Sequence, residues 1–202
     1  MNFEPILYAL SGFFMKLSDD AYDKKKNIFL AVFAGMFCGL FIGYLAVTSA
    51  DAACIFIAIL IGTILSLKVD SLNHIVALLL FVLIVVYIGI PTIGIVTLLI
   101  CSIAAFLDEI GNDNSWIKSK GKKIEIFFEY RFTLKVTILI FAALGILQNT
   151  YPGLKVPGVQ YFFLQTFVYF ILFDLFYEIA GLKFNAIYNG LDSFFRVFRR
   201  IN

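Results

Sequence analysis

Residues 27–49 read NIFLAVFAGMFCGLFIGYLAVTS, a run without a single charged side chain. A helix needs about 20 mostly apolar residues to cross the hydrocarbon of a bilayer, and this run supplies them. Working outward, comparable runs recur near 50–67, 74–90, 92–107, 132–149 and 159–181. Pro91, between Gly89 and Gly94, reads as the tight turn that joins the third run to the fourth. Residues 3–17 are apolar but shorter, and fit a re-entrant or interfacial helix or a thin seventh span. The fold expected is all-α: a polytopic transmembrane bundle of six spans in one integral membrane domain over residues 1–202.

Composition agrees. With 61% hydrophobic and 15% charged residues, the chain has too little polar surface to coat a soluble fold of this size. A net charge of +2 leaves no electrostatic footprint for nucleic acid. Cys38, Cys54 and Cys101 sit inside apolar runs without the paired spacing of a metal knuckle or a disulfide framework, and read as small core residues. The first apolar stretch follows Glu4 and runs into acids, unlike a cleavable leader, so the N-terminus is expected to be retained.

Charge is informative through its placement. With 18–26 set in the cytoplasm, the cytoplasmic segments become 16–26, 68–74, 108–131 and 183–202, and all but Lys155 of the 16 Lys and Arg residues fall in or beside them. The positive-inside rule then sets the orientation, and the localisation expected is the cell membrane. The outer connections are lean: Thr48 to Asp51, Gly89 to Thr92, and Asn149 to Val159.

The acids divide into clusters. Asp19 and Asp23 in Asp19-Asp20-Ala21-Tyr22-Asp23 are one helical turn apart, a spacing at which one or two carboxylates hold Mg²⁺ while substrate phosphate completes its shell. These five residues resemble the acidic motif of polyprenyl-diphosphate enzymes, intramembrane prenyltransferases among them, although the family's Asn before the first acid is absent. What the resemblance implies is Mg²⁺-dependent chemistry on a lipid diphosphate, with no residue roles carried over. Asp70, one turn before the only histidine, His74, and Asp108 with Glu109 at the end of the fourth run are further candidate metal ligands. His74 is a candidate general acid or base.

Two more pairs stand out. Asp174 and Glu178 stack one turn apart inside the aromatic run Tyr161 to Ala180, and an acid in hydrocarbon costs about 2.5 kcal/mol or more on insertion scales, so it has a partner or a task. Both are candidate catalytic residues. Asp174 falls roughly 12 Å above the cytoplasmic end at the helical rise. Arg131 and Lys135, also one turn apart, have the geometry to bind a substrate phosphate.

Two patterns read as structural. Gly35, Gly39 and Gly43 form a smooth stripe for helix approach, within the chain or between copies in a homo-oligomer. Phe184, Ile187, Tyr188, Leu191, Phe194, Phe195 and Phe198 keep helical period, with Lys183, Asn185, Asp192, Arg196, Arg199 and Arg200 largely off that face. This predicts a basic amphipathic helix over 183–200 resting in the cytoplasmic interface.

The leading functional reading is a membrane-embedded, Mg²⁺-dependent transferase or hydrolase of a lipid phosphate or prenyl diphosphate at the cytoplasmic face. It gives the clustered acids one purpose, with membrane lipids as partners. The alternatives are a cation transporter or channel using Asp174 and Glu178, and a non-catalytic membrane scaffold.

Overall fold

Helix boundaries fall where the sequence punctuates. In a computed structural model that describes residues 3–201, with side chains apart from those of 152 and 192–201, α1 (Glu4–Asp23) opens with Pro5 in its first turn. That position needs no N–H donor. Asn27 caps α2 (Ile28–Thr48) by accepting from the Leu30 N–H at 3.1 Å, and Ser49 caps α3 (Ala50–Leu65). Gly89, at φ +88°, stops α4 (Leu72–Ile88), and Pro91 lies in the non-helical turn before α5 (Ile95–Asp113). Short α6 (Ser115–Lys118) and α7 (Lys122–Glu129) lead to α8 (Phe132–Thr150), and α9 (Leu164–Ile201) closes the chain. Among the described residues there is no strand.

Side-chain contacts fix the direction of each helix. Tyr8 meets Tyr169, a Cβ on Gly12 would lie against the Phe173 backbone, and Lys16 touches Gly181, so α1 and α9 run parallel. Gly35 faces Asn73, Gly39 faces Ala77 and Gly43 faces Ile84, so α2 and α4 are parallel too. The glycine stripe is thus filled by α4 of the same chain. Gly62 against Ala105, with Asp51 and Thr97 near the two N-terminal ends both bonded to Gln160, makes α3 and α5 a third parallel pair. Phe14 stacking on Phe37, with Ser18 donating to the Ala31 carbonyl at 2.8 Å, sets α1 antiparallel to α2. The result is a bundle in which α1, α3, α5 and α9 run one way and α2, α4 and α8 the other. α3 sits at its centre, apolar on all sides and buried from Asp51 through Phe56.

By length and composition, α2, α5 and α8 are long and apolar enough to cross a membrane, and α3 and α4 are shorter apolar helices. This is fewer than the six spans read from the sequence. At 16 and 17 residues, α3 and α4 extend about 24–26 Å against a hydrocarbon core of about 30 Å. The bundle's flanks are themselves apolar, with Phe29, Val86 and Tyr87 at 74%, 78% and 93% exposure, a surface compatible with insertion into lipid.

Two elements are longer than the runs read from the sequence. Residues 3–17 belong to a full-length helix, α1, packed lengthwise on α2 and α9. The last span and the proposed interfacial helix form one uninterrupted 38-residue helix. Its apolar face through Leu191 is covered by the chain itself: Phe184, 1% exposed, packs with Leu17, Ala21 and Ala31, and Ile187, Tyr188 and Leu191 join them. The side chains of Asp192, Phe194, Phe195, Arg196, Phe198, Arg199 and Arg200 lie outside the described residues.

Candidate functional site

The end of α5, the first half of α9, the start of α8 and Met15 and Lys16 of α1 enclose a cavity of about 270 Å³. Its lining combines apolar groups, Met15, Ile59, Leu134, Phe170 and Phe173, with charged ones, Lys16, Asp108, Glu109, Arg131, Lys135, Asp174 and Glu178 among them. The lysine-rich turns lie at this same end of the bundle, since Lys68 before α4 pairs with Glu109 and, at 3.0 Å, with Asp113.

Arg131 enters from an unusual backbone. It precedes α8 in the left-handed region, at φ +51°, a conformation that costs a side-chain-bearing residue about 1 kcal/mol or more. Its guanidinium lies 3.1 Å from Glu109 and 5.5 Å from the centre of the Tyr177 ring, while its Nε is buried without a hydrogen-bond partner. Lys16 approaches the same ring, at 5.1 Å. Tyr177 is therefore within cation–π range of two cations. Lys135, 8% exposed, contacts Asp174 at 2.7 Å and donates to the Tyr130 carbonyl.

The acids have different jobs. Asp108, 1% exposed, accepts from the N–H groups of Thr133 and Leu134 at 3.0 and 2.8 Å. It caps the first turn of α8 from a neighbouring helix, where free N–H groups and the helix dipole both favour a carboxylate. Glu109 is shared between Lys68 and Arg131. Glu178 also lines the cavity, and among the described residues no cation lies within ion-pair distance of it.

The structure thus gathers Asp174, Glu178, Arg131, Lys135, Asp108 and Glu109 around one cavity, and leaves the other candidates elsewhere. Asp19 lies 2.9 Å from His74 Nε2, and His74 Nδ1 lies 3.0 Å from the Lys68 carbonyl. Two oxygen acceptors facing the two ring nitrogens match an imidazolium, which donates from both. Asp70 is exposed and 3.9 Å from the same ring. Asp20 is buried between Lys24 at 2.7 Å and Lys16 at 3.3 Å, and Asp23 is exposed. The six carboxylates assigned to Mg²⁺ do not converge: among the described residues no three His, Cys, Asp or Glu groups gather as a metal cluster. The reason is that each buried one already has a lysine, an arginine, a histidine or a helix N-terminus.

Sequence reasoning missed Lys16 and Tyr177. Tyr177 had a signal, because 174, 177 and 178 share one helical face. Lys16 had one as well, as a lone cation within an apolar stretch. Asp51 was passed over as a loop acid, yet it is buried and accepts from Gln160 Nε2, the Phe163 N–H and Thr166 Oγ1 at 2.8–2.9 Å. With Gln160 also bound to Thr97 and Gly94, it ties α3, α5 and α9 together at the end opposite the cavity. Comparison with protein-family models, curated proteins and solved structures finds no match for the chain.

Proposed function

We propose that this chain is a multi-pass membrane protein with its lysine-rich end in the cytoplasm, and that it binds a phosphate-bearing lipid in the cavity between α1, α5, α8 and α9. On this reading α1 joins the six spans as a seventh. Its mean composition is more polar than theirs, but Lys16, Asp19 and Asp20 all fall in its final turns, at the headgroup level. The phosphate is held by Arg131, Lys135 and Lys16, and the lipid tail follows the apolar wall of Phe170, Phe173 and Leu134 between the helices.

The observation that carries this reading is Arg131. A strained backbone and a buried guanidinium nitrogen without an acceptor together mark a side chain held ready for an anion. A phosphate oxygen that takes Lys135 from Asp174 releases that carboxylate beside Glu178. The two acids are then the pair that fits Mg²⁺, which binds proteins through one or two carboxylates plus substrate phosphate rather than through a full cage. When bound, the ion would neutralise phosphate charge and favour transfer or hydrolysis.

The test is native mass spectrometry of the detergent-purified protein with phosphatidic acid or diacylglycerol, with and without Mg²⁺. The expected result is retention of the phosphate-bearing lipid alone, and a 10- to 100-fold weaker complex for Arg131→Gln, from the roughly 1.5–3 kcal/mol of a charge-assisted hydrogen bond. Equal retention of both lipids would remove the phosphate site. Divalent-ion binding that needs Asp174 and Glu178 but no lipid would favour cation transport.

A further inference from the structure

Between α5 and α8 the chain makes a hairpin, residues 114–130, of which Glu129 and Tyr130 border the cavity and the rest lies away from it. Its sequence packs four lysines, Lys118, Lys120, Lys122 and Lys123, into six positions without an acid among them. Among the described residues none of the four forms an ion pair, although acids are plentiful at this end of the bundle. Beside them the hairpin exposes large apolar groups: Trp116 is 65% exposed, and Ile124, Ile126 and Phe127 are each just under 40%. Phe128 turns inward, its ring occupying the space beside Gly111 of α5, and this pins α7 to the bundle.

The apolar patch does not end at the hairpin. Phe127 stacks on Phe132, ring centres 5.7 Å apart, and Phe132 starts the outward stripe of α8 that continues through Val136, Leu139 and Ile140, all exposed. The surface is therefore continuous with a flank compatible with lipid, and it is rimmed by unpaired positive charge. Lys120 rests over the Trp116 ring at 4.1 Å, which keeps a cation beside the exposed indole. A short segment that interleaves lysines with exposed Trp, Ile and Phe has the composition that settles into the headgroup region, and tryptophan prefers that depth.

We propose that residues 114–130 are an interfacial foot that lies on the anionic headgroups of the leaflet in which the protein is embedded, with Trp116 at the level of the lipid carbonyls and the four lysines against lipid phosphates. This rests on the membrane-spanning reading and is independent of the lipid-phosphate cavity.

Trp116 is the chain's only tryptophan, so its fluorescence reports the foot without background. The protein is reconstituted into nanodiscs of phosphatidylcholine alone or with phosphatidylglycerol, each made with lipids brominated either near the carbonyls or near the chain ends. Recovery of the protein in discs tests the spanning reading separately. The expected result is quenching by the shallow bromines only. Protection from aqueous iodide should be on the order of threefold greater with phosphatidylglycerol, an advantage lost at high salt and in the Lys118→Gln, Lys120→Gln, Lys122→Gln, Lys123→Gln variant. Iodide access and emission identical in both lipids, or an indole that no bromine quenches, would overturn the proposal. The salt arm decides it on the wild-type chain should the variant fail to fold.

Discussion

Arg131 offers a separation of stability from binding that few residues allow. Arg131→Ala and Arg131→Gly remove the same guanidinium but differ in what they do to the backbone at φ +51°. Both lose the pair with Glu109, in which the arginine side chain is 35% exposed, and solvent screening limits that loss to about 0.5–1 kcal/mol. Both also lose the contact with Tyr177, about 0.5–1 kcal/mol more. Glu109 keeps Lys68 in either case, so no buried carboxylate is stranded. Alanine still carries a Cβ into the left-handed region, whereas glycine adopts it freely, which is worth about 1 kcal/mol. Arg131→Ala should therefore be about 1–2 kcal/mol less stable than wild type, and Arg131→Gly should recover about 1 kcal/mol of that. Thermal unfolding in detergent, followed through Trp116 emission, measures the order. Binding of phosphatidic acid should fall equally in the two, by 10- to 100-fold. If the glycine variant is no more stable than the alanine variant, the backbone stores no strain there. If either binds phosphatidic acid like wild type, Arg131 is not a phosphate ligand.

Asp51→Ala leaves three donors at the far end of the bundle without an acceptor and should cost about 3 kcal/mol or more, visible as early loss of the monodisperse peak on heating; Asp51→Asn, which keeps an acceptor, should lose less. Gly12→Leu should separate α1 from α9, because even a Cβ there meets the Phe173 carbonyl; an unchanged melting temperature would mean the two helices do not pack as described. Single cysteines at Lys25 and Lys155 should label from opposite sides of sealed vesicles with a membrane-impermeant maleimide, against a low background because Cys38, Cys54 and Cys101 are buried. Labelling of both from one side would overturn the proposed topology.

The helices were legible because apolar runs and their punctuation are local properties. Gly89 and Pro91 act within a few residues of where they stand, and the structure places the non-helical turn between α4 and α5 there. The status of α1 was not legible, since its 20 residues mix Lys16 and two buried serines into an apolar helix. Only the neighbours that receive those groups reveal it as part of the bundle: Ser18 reaches the Ala31 carbonyl and accepts from Asn73, and Lys16 reaches Asp20 and Tyr177. The membership of the candidate site was half legible. Intrahelical spacing found Asp174 with Glu178 and Arg131 with Lys135, but spacing says nothing about which helix faces which. The acids near His74 and those near Arg131 therefore looked like one cluster in the sequence and are two in space.

That division has a physical cause. Carboxylates brought together without a cation repel and raise the cost of burial, so a helical bundle keeps several of them at one end only by interleaving positive groups. Here Lys16 and Lys24 hold Asp20, His74 meets Asp19, Lys68 and Arg131 hold Glu109, and Lys135 holds Asp174. Glu178 is the acid at this cavity left outside that pairing at a partly buried position, and it stands one turn from the Asp174–Lys135 pair. A ligand that brings its own negative charge competes for Lys135 and Arg131. A ligand that brings its own positive charge is drawn to Glu178 and Asp174. A phosphate accompanied by a divalent ion does both at once, and it enters this alternating wall without leaving a buried charge unmatched.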